Sequence, residues 1–314
     1  MSGREELTQA VKEAALRFGA ALVGVANVER FDPMPPYYDA VPEGHHPRDF
    51  LPEARSVISI AQPILDGVLD GPARANERPM AMIPDHVKSA FMDVVYNRVG
   101  HVLHDTMLEF IAQAVGQFLM ARGYQAMIFP TTGVHPHLPG WTEKEIWCGR
   151  DVQAGSPFRY TYGPFSHRHA ATRAGLGEFG YNNVVLTPQF GPRQRFNSIL
   201  TDAELTPDPL LDKPLCLRER CRLCLKVCYM EAVTLRDDPT LTDYRSVEKV
   251  DPDVIFIDTP ARSDANRCMA RTDGRTEWPT RGDCIRVCPI PAGRKRHMTE
   301  RLRAIRKGGK AMGH

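Results

Sequence analysis

Apolar residues recur at helical spacing in two stretches of the first half of the chain. In Glu5–Phe18 they occupy one face of a predicted amphipathic helix, and Gly19 is expected to end it because glycine commonly follows a helix. A longer apolar stripe covers Asp85–Arg122 and predicts one or two long helices before Gly123. Each of these helices is expected to bury one face.

Shorter apolar runs predict the strands of a sheet. They are Ala20–Val25, Arg55–Ala61 and Tyr124–Phe129, each with few or no charged residues. The segment Gly67–Pro84 is long and polar, which predicts a loop that faces the substrate or covers it. The first half of the chain therefore combines helices with buried strands.

Length and charge restrict the class of protein. The 314 residues are enough for about two domains, and a net charge of +2 gives no general case for binding nucleic acid or membranes. No apolar run approaches the ~18 residues of a membrane span. Residues 1–6 show neither an apolar signal segment nor a twin arginine, so we expect a cytoplasmic protein.

The end of the chain is the one strongly basic segment. Residues 294–310 carry eight lysines and arginines against a single glutamate, which would attract an acidic partner or RNA. We favour a solvated terminal helix instead, because no aromatic residues stand between the basic ones for base stacking.

The cysteines carry the clearest chemical signal. Cys221, Cys224 and Cys228 form a C-x2-C-x3-C run, and Cys284 and Cys288 repeat the three-residue gap with a proline directly after the second. This spacing is most of the pattern of a bacterial ferredoxin with two iron–sulfur clusters.

The spacing assigns ligands because cysteines two residues apart reach the same cluster. The cysteine after a three-residue gap reaches the other cluster. The first cluster is expected to take Cys221, Cys224 and Cys288, with Cys216 joining through a longer loop, and the second to take Cys228, Cys284 and Cys268.

Both runs depart from the full pattern. Arg218 and Arg281 stand where each run would have its first cysteine. The fourth ligand of the second cluster is open between Cys148, an oxygen ligand such as Asp283, and a three-iron form that needs none.

Two other readings of the cysteines are weaker. A zinc ribbon needs paired thiolates at tetrahedral spacing, and the three-residue gap with its proline fits that spacing poorly. Disulfides are rare in the reduced cytosol, where such cysteines more often bind metal.

A glycine-rich segment precedes the cysteine runs. Gly175, Gly177 and Gly180 match a G-x-G-x-x-G dinucleotide fingerprint, but a helical pattern precedes them and a strand-like pattern follows, the reverse of the order that a nucleotide-binding fold requires. We interpret the glycines as sites where the backbone approaches a flat cofactor or turns sharply.

The segment S-H-R-H-A-A-T-R-A-G-L-G-E-F-G-Y-N-N-V-V-L-T-P-Q-F-G-P-R, followed by the two cysteine runs, resembles the reductive dehalogenase and epoxyqueuosine reductase superfamily of corrinoid iron–sulfur proteins. The resemblance covers roughly Leu7–Pro291 and is greatest to the short soluble dehalogenase-like members. It implies an α+β fold: a nitroreductase-like cobalamin-binding core in residues 1–210, a ferredoxin-like double-cluster domain in 211–293 and a basic tail in 294–314.

The resemblance also implies an activity. It predicts a cytoplasmic oxidoreductase with two 4Fe–4S clusters and cobalamin, acting on a small organic or halogenated substrate. Electrons would come from an external donor such as a ferredoxin, a flavodoxin or a reductase, and no membrane is involved. No protein histidine is expected on the cobalt. The residues expected at the cofactor are His167, His169, Gly175, Gly177, Gly180 and Asn182.

The proton donor separates the two branches of the superfamily. The stretch ahead of the glycine-rich segment resembles the D-x-x-P-x-x-x-R pattern of epoxyqueuosine reductases. Pro164 and Arg168 match this pattern, and Thr161 stands in place of its acidic residue. This substitution disfavours an enzyme that modifies tRNA, which is kept as the alternative together with a non-catalytic electron carrier.

In reductive dehalogenases the proton donor is a tyrosine. The resemblance to them makes Tyr160 and Tyr162 the candidate donors here. A phenol needs a nearby cation to become a useful acid at neutral pH, and Arg168, His167 or His169 would supply it. The competing interpretation is that both tyrosines only pack.

Overall fold

The chain folds as a mixture of helices and antiparallel strands. Its structure, a computed structural model, describes residues 2–32, 46–75, 95–96, 98–131, 165–228, 231–235, 255–258, 260–263 and 282–291. The helices are α1 (Gly3–Arg17), α2 (Pro47–Phe50), α3 (Asp66–Ala75), α4 (His104–Met120), α5 (His167–Arg173), α6 (Leu223–Val227) and α7 (Asp283–Arg286). A π-helical turn, Arg98–Leu103, leads into α4, and 3-10 turns cover Val28–Phe31 and Arg218–Arg220.

The central feature is a four-stranded antiparallel sheet. The strands are β1 (Leu22–Asn27), β2 (Ser56–Pro63), β3 (Ala126–Ile128), β4 (Glu178–Phe179), β5 (Val185–Leu186), β6 (Gln194–Thr201), β7 (Val233–Leu235) and β8 (Ala261–Ser263). The large sheet has the order β1-β2-β6-β3, and β4 with β5 and β7 with β8 form two small antiparallel pairs. The strands β2 and β6 pair along their whole lengths.

Both faces of the large sheet are buried. Alternate residues of a strand point to opposite faces, so Ile58 packs with α1 and α4 while its neighbour Val57 packs with α5. On β6, Ile199 and Leu200 divide in the same way. The sheet is therefore the middle of three layers, and α5 brings the glycine-rich segment onto one of its faces.

Most of the predicted elements are confirmed. The predicted first helix, the strands near residues 20, 55 and 124 and the glycines that end α1 and α4 are present, with ends displaced by a few residues. Of the predicted helical stretch Asp85–Arg122, the structure describes residues 95–96 and 98–122, and the latter contain the π-helical turn and α4. The other residues of the stretch lie outside the described part of the chain.

The predicted loop at Gly67–Pro84 is wrong in its first part. Residues Asp66–Ala75 form α3, because Leu69 is buried against Ile64 and Tyr96 and this packing overrides the glycines and proline of the segment. Residues after Ala75 in that segment are outside the described part of the chain.

The described helices include none that is long and apolar enough to cross a membrane. The division at residue 210 into a core and a cluster domain stays a prediction.

Candidate metal centre

Three cysteines of the two runs and Cys216 line one pocket. They are Cys216, Cys221, Cys224 and Cys288, and the pocket is completed by Gly180–Asn182, Leu186 and the segment Pro289–Ile290. The 3-10 turn before Cys221 and the short helix α6 after it present the first three cysteines, and the end of α7 presents the fourth. Residues separated by more than sixty positions in sequence thus meet around a single space.

Burial and neighbouring cysteines disfavour the charged forms of Cys224 and Cys288. Burial first, and then the neighbouring cysteines, raise the pKa of Cys224 to about 12, and the same causes raise the pKa of Cys288 to about 12. Burial also raises the pKa of Cys216. Thiolates are the forms of cysteine that bind metal. These thiols therefore need a bound cation to become ionised.

Backbone N–H groups point at the sulfur atoms. The Cys216 sulfur accepts from the backbone N–H of Tyr181 and of Arg218, and the Cys288 sulfur accepts from that of Ile290. Such hydrogen bonds stabilise thiolates and tune the potentials of iron–sulfur clusters. The donor set and its surroundings therefore fit a cluster bound by four cysteines.

Within the described ranges, no group of three or more His, Cys, Asp or Glu side chains lies close enough together to hold a metal ion.

A buried glutamate holds the loop that carries Cys216. One carboxylate oxygen of Glu178 accepts from the backbone N–H of Leu215 at 2.5 Å and of Cys216 at 2.6 Å, and the other accepts from that of Phe256 at 3.1 Å. Burial raises the pKa of Glu178, and these hydrogen bonds oppose that effect. Sequence reasoning missed this residue, although an acid between Gly177 and Phe179 in an otherwise apolar strand was a usable signal.

Arg218 faces the same carboxylate. Its guanidinium lies 3.5 Å from a Glu178 oxygen and 4.2 Å from the centre of the Phe256 ring. The sequence indicated Arg218 only as a missing cysteine, whereas the structure makes it a buried cation beside the Cys216 loop.

The second cysteine run is docked on the core by backbone and by charge. Gly191 has a φ of 58° and lies against the carbonyl of Ile290, so closely that a Cβ on Gly191 would overlap the Ile290 oxygen. Nearby, the Arg193 guanidinium donates to the carbonyl of Arg286 at 2.9 Å and pairs with Asp66 at 3.0 Å. These contacts place Cys288 in the pocket.

The predicted second cluster is only partly within the described residues. The Cys228 sulfur accepts from the Ala232 N–H at 3.2 Å, the Cys284 carbonyl accepts from the Asn182 side chain at 3.3 Å, and α6 packs on α7. Cys268 and Cys148 lie outside the described residues. Asp283 forms an ion pair with Arg286, so as a cluster ligand it would have to give up that partner. The ligand set of this cluster stays a prediction.

The two histidines predicted near the cofactor have both ring nitrogens occupied. His167 bonds to the Ser198 hydroxyl at 3.0 Å and the Pro130 carbonyl at 2.9 Å, and His169 bonds to Ser166 at 2.6 Å and Asp258 at 3.1 Å. Burial is the main cause that lowers the pKa of each to about 4. Neither is charged at neutral pH, and neither has a free nitrogen for cobalt.

Among the three candidate cations, Arg168 is thus the one that carries charge at pH 7. Its Nη1 donates to the Asn183 carbonyl at 2.7 Å. Tyr160 and Tyr162 lie outside the described residues, as do Thr161 and Pro164. The pairing of a tyrosine with Arg168 stays a prediction.

The glycines have neighbours within the chain itself. A Cβ on Gly175 would overlap the Pro209 carbonyl and one on Gly177 the Leu186 carbonyl, while Gly180 and Asn182 line the cysteine pocket. Close backbone packing therefore accounts for Gly175 and Gly177, and their contact with a cofactor stays a prediction.

Comparison by sequence finds dehalogenases. The chain is 33% identical over 152 residues to a tetrachloroethene reductive dehalogenase of Dehalobacter restrictus, a match covering 45% of this chain and 23% of that protein. It is 28% identical over 130 residues to the tetrachloroethene reductive dehalogenase of Sulfurospirillum multivorans, covering 39% and 23%. The matches thus span about a quarter of these curated relatives. No model of a known protein family matches the chain.

Comparison by structure finds both branches of the superfamily. An epoxyqueuosine reductase solved with a modified tRNA-Tyr stem loop superposes with a TM-score of 0.52 at 16% identity, over 93% of this chain and 67% of that one. A reductive dehalogenase whose structure suggests a mechanism for B12-dependent dehalogenation superposes with a TM-score of 0.54 at 17% identity, over 92% and 32%. The predicted resemblance is confirmed, and the two kinds of relative share the mixed helix and sheet fold of this chain.

Proposed function

We propose that this chain, a relative of the reductive dehalogenases and epoxyqueuosine reductases, is a cytoplasmic iron–sulfur reductase that depends on a corrinoid and acts on a small organic substrate. The observation that carries the proposal is the pocket formed by Cys216, Cys221, Cys224 and Cys288. Four cysteines are the full ligand set of one 4Fe–4S cluster. The sequence identity to tetrachloroethene reductive dehalogenases supports halogenated compounds as the first substrates to test.

The corrinoid would supply a reduced cobalt centre that reacts with the electrophilic carbon of the substrate. The described residues are compatible with cobalt that has no histidine ligand, because His167 and His169 have both nitrogens occupied. The chain's own contribution is to hold the cluster, to exclude water and to deliver a proton. We assign proton delivery to Tyr160 or Tyr162, with Arg168 as the neighbouring cation.

The layout of a nitroreductase-like core followed by a ferredoxin-like double-cluster domain belongs to the same proposal. The second cluster, at Cys228, Cys284 and Cys268, would take electrons from an external donor such as a ferredoxin, a flavodoxin or a reductase. The first cluster, held against the Gly180–Asn182 segment, would pass them inward.

The experiment that tests this proposal is anaerobic turnover. Protein reconstituted with iron, sulfide and cobalamin is supplied with reduced ferredoxin and a chlorinated or brominated phenol or alkene, and halide release is measured. We expect release that requires cobalamin. Equal release without cobalamin would contradict the corrinoid part, and cluster-loaded protein that reduces a partner but takes up no cobalamin would indicate an electron carrier.

A second candidate, an epoxyqueuosine-type reductase, is favoured by one observation. The superposition on the epoxyqueuosine reductase covers two thirds of that protein, compared with one third of the dehalogenase. Thr161 at the position of the acid argues against it. Restoration of queuosine in the tRNA of a bacterial strain that lacks epoxyqueuosine reductase would establish this candidate, and accumulation of unreduced epoxyqueuosine in that strain would exclude it.

A further inference from the structure

Arg218 occupies an unusual position for an arginine. It stands three residues before Cys221, where the complete spacing would have a cysteine, and only 7% of it is exposed. Its φ is 48°, in the left-handed region that a residue with a long side chain seldom adopts. Buried arginines are rare unless they are paired, so both its burial and its backbone conformation call for an explanation.

The partner of Arg218 is Glu178, which is fully buried. The carboxylate of Glu178 holds the N–H groups of Leu215 and Cys216, and the backbone N–H of Arg218 bonds to the Cys216 sulfur. The Glu178 carboxylate therefore holds the loop of Cys216 directly, and the Arg218 side chain acts on the loop by pairing with that carboxylate. This loop lets Cys216, two residues earlier than the usual position, reach the pocket.

The charges of Arg218 and Glu178 would also act on the reduction potential of a cluster in the pocket. Arg218 lines the pocket and Glu178 lies directly behind the Cys216 backbone. Reduction adds negative charge to the cluster, so a nearby cation favours the reduced form and a nearby anion disfavours it. Both effects are larger in a buried site than in water, because screening there is weaker.

We propose that Arg218 and Glu178 are positioning residues that seat Cys216 as the fourth ligand and set the reduction potential of the first cluster, Arg218 raising it and Glu178 lowering it. This inference rests on the proposed function, because it requires a cluster at the four cysteines. The inference explains how Cys216 can take the place of the cysteine that is absent at position 218.

The experiment is a redox titration of the reconstituted protein followed by electron paramagnetic resonance. Arg218→Gln removes the positive charge, and we expect at least a tenfold decrease in the equilibrium constant for reduction, a downward shift of about 59 mV for one electron. Glu178→Gln keeps an oxygen that accepts from Leu215 and Cys216, and we expect an upward shift. Arg218→Lys should lie close to wild type. Arg220→Gln is the matched control, because Arg220 is exposed on the same 3-10 turn and its charge is screened by solvent.

Iron and sulfide counts on the same samples separate the possible failures. Wild-type protein that binds no iron–sulfur cluster would refute the proposed function itself. A wild-type cluster whose potential is unchanged in Arg218→Gln, or is shifted equally by Arg220→Gln, would overturn this inference alone. Arg218→Gln could lose the cluster altogether. In that case a cluster retained in Arg218→Lys, together with a higher reduction potential in Glu178→Gln, would support the inference. A cluster lost in Arg218→Lys as well, with an unchanged potential in Glu178→Gln, would overturn it.

Discussion

The docking of the second cysteine run on the core can be tested with two glycines. Gly191 and Gly123 both have left-handed φ angles, 58° and 84°. A Cβ on Gly191 would lie less than 3.0 Å from the Ile290 oxygen, whereas a Cβ on Gly123 would meet nothing within 4 Å. The two positions therefore share the conformational requirement and differ in the close approach.

The expected magnitudes follow from this difference. Alanine in the left-handed region costs roughly 1–2 kcal/mol at either position. At Gly191 the added methyl group must also displace the Ile290 carbonyl or its own turn, and overpacking of this kind costs roughly 1–3 kcal/mol more. Because Ile290 is two residues after Cys288, a displaced carbonyl is also expected to move this proposed cluster ligand.

The assay combines urea unfolding with iron content. We expect Gly191→Ala to lower the free energy of unfolding by more than Gly123→Ala does, and to lose iron while Gly123→Ala keeps it. Equal effects of the two substitutions on stability, with iron retained in both, would show that this turn does not hold the second cysteine run.

Three further predictions concern charge, pH and catalysis. Burial lowers the pKa of His167 to about 4, so this residue gains a proton on unfolding below about pH 6.5. Its contribution to the free energy of unfolding should be intact above that pH and fall by roughly 3 kcal/mol towards pH 4, and the urea midpoint should fall less in His167→Gln than in wild type, where His169 adds a loss of its own. Arg193→Met removes the cation that pairs with the buried Asp70 and should cost about 3–5 kcal/mol, while Arg55→Met, at an exposed pair, should cost less than about 1 kcal/mol in the same unfolding assay. Tyr160→Phe or Tyr162→Phe should lower the turnover rate about 10²–10⁴-fold with cobalamin uptake unchanged, and full activity in both would exclude a tyrosine proton donor.

Local patterns predicted the parts of the fold that depend on local physics. The amphipathic stripe of α1 and the glycine that follows it were readable, as were the strands that supply Ile58 and its neighbours. Helix α3 was not, because its glycines and proline indicate a loop and only the packing of Leu69 decides otherwise. The sheet order was also unreadable, since β6 lies between β2 and β3 although it follows both in sequence.

The candidate site shows the same division. The spacing indicated which cysteines belong together, and the structure brings Cys216 and Cys288 to one pocket with Cys221 and Cys224. The residues that hold these cysteines, Glu178, Arg218 and Arg193, have partners that are distant in sequence, and the motifs in which they stand do not indicate this role. The role of a buried charged residue can be recognised only when its partner, distant in sequence, is known from the structure.

The four-cysteine cluster is tested most directly by an anaerobic count of iron and sulfide, with the electron paramagnetic resonance spectrum, on wild type and Cys216→Ser. If Cys216, Cys221, Cys224 and Cys288 hold one cluster, the substitution should remove one cluster signal and about four irons and sulfides, as Cys288→Ser should, or leave a three-iron form. A Cys216→Ser protein with the wild-type count and spectrum, or a wild type that holds zinc without sulfide, would contradict it.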